Sequence, residues 1–239
     1  MLPELIEAGL DSVPGGGAEV FSERVRQATY HLKISGDEWL EIARTVHAAG
    51  LRSNCTMLHG HIETVDERLD HLDRLRRLQD ETGGFQTYVP LSFHPDNSEM
   101  ADVPGPTALD ELREIALGRL MLDNIPHIKS YWVMLGEATA SIGLHFGADD
   151  LDGTIGKERI AHAAGAASPG GLARRRMARL IRAAGCGPLR PRAGAGCALP
   201  GSWTPRAWRS SSLLPSLVLK SVRQPCFFWA YQKDMAMAI

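Results

Sequence analysis

The stretch SNCTMLHGHIE, residues 53–63, reads as a β-strand that runs into a cluster of polar residues. Strand side chains alternate, so Cys55, Met57, His59 and His61 fall on one face and Asn54, Thr56, Leu58 and Gly60 on the other. Thr64 and Glu67 then form the S/T-x-x-E pattern that starts a helix. Imidazole and carboxylate groups therefore gather at the carboxyl end of a strand, just ahead of a helix. In alternating β/α folds that end is where ligands bind. A buried strand with two satisfied histidines fits the same spacing.

The order strand, polar loop, helix recurs on both sides of this stretch. Leu2, Leu5 and Ile6 have helical spacing, closed by Gly9. Residues 10–14 read as a short strand. Gly15-Gly16-Gly17-Ala18-Glu19 follows, a run whose backbone can approach a ligand closely. Ser35 and Glu38 cap a helix with Trp39, Ile42, Ala43 and Val46 inward. The helix after Thr64 carries Leu69, Leu72, Leu75 and Leu78 on one side. Its Arg68, Arg74, Arg76 and Arg77 alternate with acids, as on a solvated, ion-paired surface. Thr82-Gly83-Gly84 stops it. FQTYVPLSF, residues 85–93, is a third strand, with His94-Pro95-Asp96-Asn97 past its end. Thr107 and Asp110 cap a helix bearing Leu109, Leu112, Ile115, Ala116 and Leu120. KSYWVML, residues 129–135, reads as a fourth strand with Tyr131 and Trp132 on opposite faces. A short helix over 138–146 leads to a fifth strand at 148–151, ending in Asp152-Gly153-Thr154.

No hairpin signal separates these units, so the strands are expected to be parallel, with crossover helices. A doubly wound sheet and a barrel both fit. Five strands in about 140 residues is the share expected of an eight-stranded barrel of about 250 residues. An opening in mid-helix fits a barrel without its first three strands.

Hydrophobic residues make up 44% of the 239 and aromatic residues 6%, an aliphatic-cored α/β composition. The net charge of −2 conceals an asymmetry. Residues 1–158 hold 13 Lys/Arg and 27 Asp/Glu, whereas residues 159–239 hold 13 Lys/Arg and one acid, Asp234. SPGGLARRRMARLIRAAG allows one basic helix. From Cys186 on, Arg, Pro, Gly, Trp and Ser dominate without a period, as in high-GC codons read out of frame; a disordered tail or a nucleic-acid-binding arm are the competing readings. The expected division is 1–185, part of a barrel, and 186–239, a basic tail. Cys55, Cys186, Cys197 and Cys226 form no C-x-x-C or other metal-knuckle spacing. No run approaches the ~18 apolar residues of a membrane span, and the acidic N-terminus is no signal peptide. A cytoplasmic location, with neither membrane nor nucleic acid as partner, is the default expectation.

The segments GLDSVPGGGAEVF, KISGDEWLEIARTVHAAGL, TMLHGHIET, LQDETGGFQTYVPLSFHPDN, RLMLDNIPHIKSYWVMLG and FGADDLDGT closely resemble the radical SAM enzymes of menaquinone biosynthesis by the futalosine route. VPLSFHPDN is most similar to the aminofutalosine synthases. GGGAE and GHIET are shared with the cyclic dehypoxanthinyl futalosine synthases and the deazaflavin cofactor synthases. The resemblance covers residues 3–185. It implies a partial radical SAM (β/α) TIM-type barrel, strands four to eight. It also implies a [4Fe–4S] cluster that binds S-adenosylmethionine and is fed by a reductant. The radical formed by reductive cleavage adds, in the aminofutalosine synthases, to the enol ether of a carboxyvinyloxy-benzoate, giving aminodeoxyfutalosine.

By the same resemblance, Gly15, Gly16, Gly17 and Glu19 match the loop that approaches the adenosine part of the cofactor. Met57, His59 and Gly60 match the segment lining the adenosyl side. His61, Glu63 and His94 are the catalytic candidates. Asp123, Asn124 and His127 precede a strand and belong to the barrel's bottom. The chain departs from the family in its tail, after about Gly185, and in its cysteines: no C-x-x-x-C-x-x-C occurs in it, so no metal ligand is assigned and the chain as given is expected to be inactive. Two other functions compete. One is a metal-dependent hydrolase barrel using His59, His61 and His94 with Asp149, Asp150 or Asp152. The other is a non-enzymatic fragment with a basic tail.

Overall fold

Three capping boxes set the frame of the computed structural model, which describes residues 1–153 and 159–188. Ser35 opens α3 (Gly36–Ala48), Thr64 opens α4 (Val65–Thr82) and Thr107 opens α5 (Ala108–Met121). In each, the hydroxyl accepts from the N3 amide while the N3 carboxylate accepts from the cap amide, so two orphan donors are satisfied at once. Gly83, in the left-handed region at φ 63°, ends α4.

The helices connect β1 (Ser12–Val13), β2 (Arg52–His59), β3 (Phe85–Ser92) and β4 (His127–Ile128) into a parallel sheet of that spatial order. A parallel bridge from Lys129 to Asp150 continues it. The remaining helices are α1 (Leu2–Glu7), α2 (Glu23–Thr29), α6 (Trp132–Gly143), α7 (Ile160–Ala163) and α8 (Arg174–Ala183). Sequential parallel strands with crossover helices make this part of a (β/α) barrel wall, as the sequence implies.

Contacts identify which face of the sheet meets the helices. Ser53 Oγ lies 2.9 Å from His47 Nε2 of α3, and the Tyr88 hydroxyl donates to Glu114 of α5 at 3.2 Å. Ser53, Cys55, Met57 and His59 thus face the helices, with their β3 partners Tyr88, Pro90 and Ser92. Asn54, Thr56 and Leu58 pair with Thr87, Val89 and Leu91 on the opposite, lumen-side face. Met57, Leu72, Leu75, Tyr88 and Ile115 are fully buried between the layers. Each such apolar side chain is worth about 1.5–3 kcal/mol. His71 of α4 ties the seam: its Nδ1 accepts from the Phe21 amide at 3.3 Å and its Nε2–H donates to the Thr56 carbonyl at 3.1 Å. Burial holds this imidazole neutral, its pKa pushed down to about 3.

Several expectations need correction. KSYWVML is not a strand: β4 ends at Ile128 and Trp132 begins α6, which is kinked at Gly136. Tyr131 is therefore a helix cap, and Trp132 is buried, donating to the Gly153 carbonyl at 3.1 Å. The fifth strand reduces to the bridge at Asp150, and the expected Thr154 end lies outside the described residues. Ile42, Leu109 and Leu120 point to solvent at 53%, 51% and 75% exposure, because their helices turn a narrower stripe inward than the spacing suggests. Helix α2 carries no expectation from the sequence, although Ser22 caps it. The basic helix is α8. Of the expected tail, 189–239 lies outside the described residues. Among the described residues no helix is long and apolar enough to cross a membrane.

Candidate functional site

Two stretches meet at the carboxyl end of β2. The first is the glycine loop. Gly15, at φ 69°, lies so close to β2 that a Cβ there would sit 1.8 Å from the Asn54 carbonyl oxygen. The Leu58 amide donates to the Glu19 carbonyl at 3.0 Å, extending the seam. The Trp39 indole donates to the Gly16 carbonyl at 3.0 Å. Glu19 holds a left-handed backbone at φ 49°, and its carboxylate pairs with Lys33 at 2.5 Å. Gly15 is thus accounted for by packing. At Gly16 and Gly17 a Cβ would meet nothing within 4 Å, so their backbone is open to close approach.

The second stretch is the turn 60–63. His61 lies past the strand, so alternation does not orient it. Glu63 instead holds the turn: its carboxylate accepts from the amides of Gly60 at 2.7 Å and His61 at 2.9 Å. His61 Nε2 stands 3.1 Å from the Leu58 carbonyl and 3.1 Å from the Tyr30 hydroxyl. A carbonyl only accepts, so Nε2 carries the proton. Nδ1 faces the Glu63 carboxylate at 3.3 Å. Burial lowers the His61 pKa, and the Glu63 charge only partly offsets it.

Met57 and His59 lie on the other side. Both are fully buried on the helix face. His59 Nε2 is 3.2 Å from Glu111 of α5, an ion-pair distance without a well-aligned hydrogen bond. Burial opposes the charge on His59, but Glu111, with Glu114 and Glu63 behind it, carries its pKa above the ordinary value. Arg68 completes the cluster, 3.1 Å from Glu114 and 3.8 Å from Glu63. Arg68 is therefore not part of a solvated surface, unlike Arg77, which pairs with Asp73 at 78% side-chain exposure. Glu111, Glu114 and Tyr88 carry no expectation from the sequence, and Arg68 reads there as part of the solvated helix surface. The available signal was Glu111 and Glu114 flanking Leu112 and Ile115, which places two acids beside the buried stripe of α5.

His94 follows β3 and lines cavities between the β3–α5 loop and α6. The hydrolase ligand set does not converge. His59 turns to Glu111, His61 to its own turn, Asp149 to His127 at 2.9 Å and Asp152 to Lys129 at 2.8 Å. Among the described residues no three His, Cys, Asp or Glu are grouped to hold a metal ion. Cys55 is buried in β2 with its thiol pKa raised by burial, and Cys186 follows α8. The described residues therefore do not fit a four-iron cluster. At the opposite end, Asp123 pairs with Arg76, and the Asn124 amide donates to the Arg76 carbonyl at 2.9 Å.

Residues 82–193 match the family described as the CofH/MqnC C-terminal region. The chain is 54% identical over 189 residues to an aminodeoxyfutalosine synthase of Thermus thermophilus, covering 77% of this chain and 51% of that protein. It is 43% identical over 159 residues to a cyclic dehypoxanthine futalosine synthase of Streptomyces coelicolor, covering 66% and 40%. It is 40% identical over 194 residues to a 5-amino-6-(D-ribitylamino)uracil–L-tyrosine 4-hydroxyphenyl transferase of Methanopyrus kandleri, covering 79% and 53%. The chain spans about half the length of the relatives it matches.

Proposed function

We propose, from this chain's homology to the aminodeoxyfutalosine synthases over about half their length, that it forms the nucleoside- and substrate-facing part of a radical SAM enzyme of menaquinone biosynthesis. The whole enzyme would join a 5′-deoxyadenosyl group to the enol ether of a carboxyvinyloxy-benzoate. The observation carrying this reading is the 54% identity over 189 residues to an aminodeoxyfutalosine synthase. The chain carries no C-x-x-x-C-x-x-C run that would hold the cluster.

The chain's own residues have definite tasks in this reading. The open backbone of Gly16 and Gly17 admits the adenosyl group, and Glu19, fixed by Lys33, accepts from its hydroxyls. Glu63 positions the turn that carries His61. His61, neutral with its proton on Nε2, is buried beneath the turn and holds its shape through the Leu58 carbonyl and the Tyr30 hydroxyl. Met57, His59 and Gly60 support this mouth from beneath: Gly60 packs on Pro106, where a Cβ would come within 2.6 Å.

The test is a chimera joining the N-terminal half of the Thermus thermophilus synthase to this chain. With a reductant, S-adenosylmethionine and the enol ether, it should form aminodeoxyfutalosine. His61→Ala should lower turnover about 10²-fold at unchanged cluster content, the scale of a lost positioning group. A folded, cluster-loaded chimera that makes no product would overturn the reading.

A further inference from the structure

Every arginine of α4 and α5 reaches a carboxylate. Helix α8 is different. Its Arg174, Arg175, Arg179 and Arg182 are exposed and pair with no acid among the described residues; Arg176 alone does, with Glu137 of α6 at 2.5 Å. Residues 159–188 hold six arginines, no lysine and no acid, so this segment has no carboxylate of its own to offer them.

The helix is fixed in place. Met177 and Ile181 are fully buried, and Ser141 of α6 donates its hydroxyl to the Leu180 carbonyl at 3.2 Å. Arg175, Arg179 and Arg182, at i, i+4 and i+7, form one line on the side away from that buried stripe. Like charges at this spacing repel, and an acidic partner relieves the repulsion. The apolar stripe of α8 is already covered by the protein, so the helix has no apolar face left to enter a bilayer.

Helix α1 belongs to the other end of the sheet order. It runs into the edge strand β1, whereas α8 follows the Asp150 bridge at the opposite edge. No residue of α1 is buried. Leu5 and Ile6 are 45% and 36% exposed, with Glu4, Glu7 and Asp11 exposed around them. Glu7 and Asp11 pair with nothing among the described residues, and Glu4 only with the terminal ammonium at 3.5 Å. The chain as a whole carries a net charge of −2, although residues 1–158 hold 13 Lys/Arg against 27 Asp/Glu. Two copies therefore repel little at long range and carry opposite charge at opposite ends.

We propose that α8 of one copy docks on α1 of a second copy of this chain, reciprocally, so that a two-fold dimer joins the two walls at both seams. The arginine line meets Glu4, Glu7 and Asp11, and Leu5 and Ile6 are covered. Nucleic acid is the competing occupant, and the acidic body that carries the helix disfavours it. The proposal does not depend on the reaction described above.

Sedimentation velocity of the full chain should show a dimer at about 0.05 M salt and monomer at about 0.5 M, where exposed charges are screened. Reversing the line, with Arg175→Glu, Arg179→Glu and Arg182→Glu together, should weaken dimerisation more than about tenfold. Reversing the other side, with Glu4→Lys, Glu7→Lys and Asp11→Lys together, should do the same. All six side chains are exposed, so both variants should keep the helical circular dichroism of the parent. Mixed together, the two variants should form the heterodimer that neither forms alone. A chain that stays monomeric at low salt would overturn the proposal. So would dimers indifferent to either reversal, or folded variants that fail to pair when mixed. Tight binding of a fluorescent oligonucleotide by a monomeric chain, lost on the arginine reversal, would assign the face to nucleic acid and overturn it as well.

Discussion

His59 and His61 stand two residues apart in one strand-and-turn, yet their surroundings push them in opposite directions. His59 is sealed under α5 against Glu111, and nearby carboxylates raise its pKa despite burial. His61 sits in a turn whose nearest carboxylate, Glu63, is already engaged by two backbone amides, and burial lowers its pKa. The helix side of the strand end is thus an ionic cluster that supports the mouth. The turn is a shaped backbone surface, held from within by the buried Glu63 carboxylate and His61 imidazole. The motif HGHIE spans both regions, and only the backbone's departure from strand geometry after His59 separates them.

The comparison breaks most severely if the seam between the glycine loop and β2 is lost. Gly15→Ala would drive a Cβ into the Asn54 carbonyl and impose φ 69° on an L-residue. The expected cost is about 4 kcal/mol or more, among the largest single-residue effects. Gly16→Ala, where no atom lies within 4 Å, should stay within about 0.5 kcal/mol. Urea denaturation of both variants checks this. Equal stability would mean the loop is not seated on β2.

The ionic cluster gives the next effect. Arg68→Met removes the guanidinium shared by Glu114 and Glu63, whose side chains are 0% and 3% exposed. The expected loss is about 3 kcal/mol, the lower end for breaking a buried pair, since Arg68 itself is 23% exposed. Arg77→Met, on the same helix, should cost no more than about 0.5 kcal/mol. If the two variants melt together, Arg68 belongs to the solvated face after all.

Much of this organisation was legible in the residues. The capping boxes at Ser35, Thr64 and Thr107 are local hydrogen-bond patterns, and all three formed. β2 and β3 were legible because alternation and β-branched content agree. KSYWVML was misread because a short apolar run has no period that separates a strand from a helix start. Arg68 was misread because its partners, Glu63 and Glu114, come from a turn and from α5. The cluster became visible only when α5 packed onto the sheet.

The finest test titrates the two imidazoles by NMR. Glu111→Gln removes the main charge supporting His59⁺, so the His59 pKa should fall, below its ordinary value if burial then dominates. Glu63→Gln should lower the His61 pKa by a smaller step, because that carboxylate acts only against a burial effect already in command. The stability consequences have opposite signs. His59 has a raised pKa in the folded state, so its contribution is complete below the unfolded value near 6.5 and is lost as pH rises through the folded one. His61 has a lowered one, so its contribution is complete above about 6.5 and is lost as pH falls through the folded value. Glu111→Gln should therefore remove stability mainly on the acid side of neutrality, where His59 carries its charge. Glu63→Gln should widen the interval over which acid costs stability through His61, while also loosening the turn at every pH. If both substitutions moved both histidines alike, the two sides of the strand end would share one electrostatic environment, and the separation of support from mouth would fail.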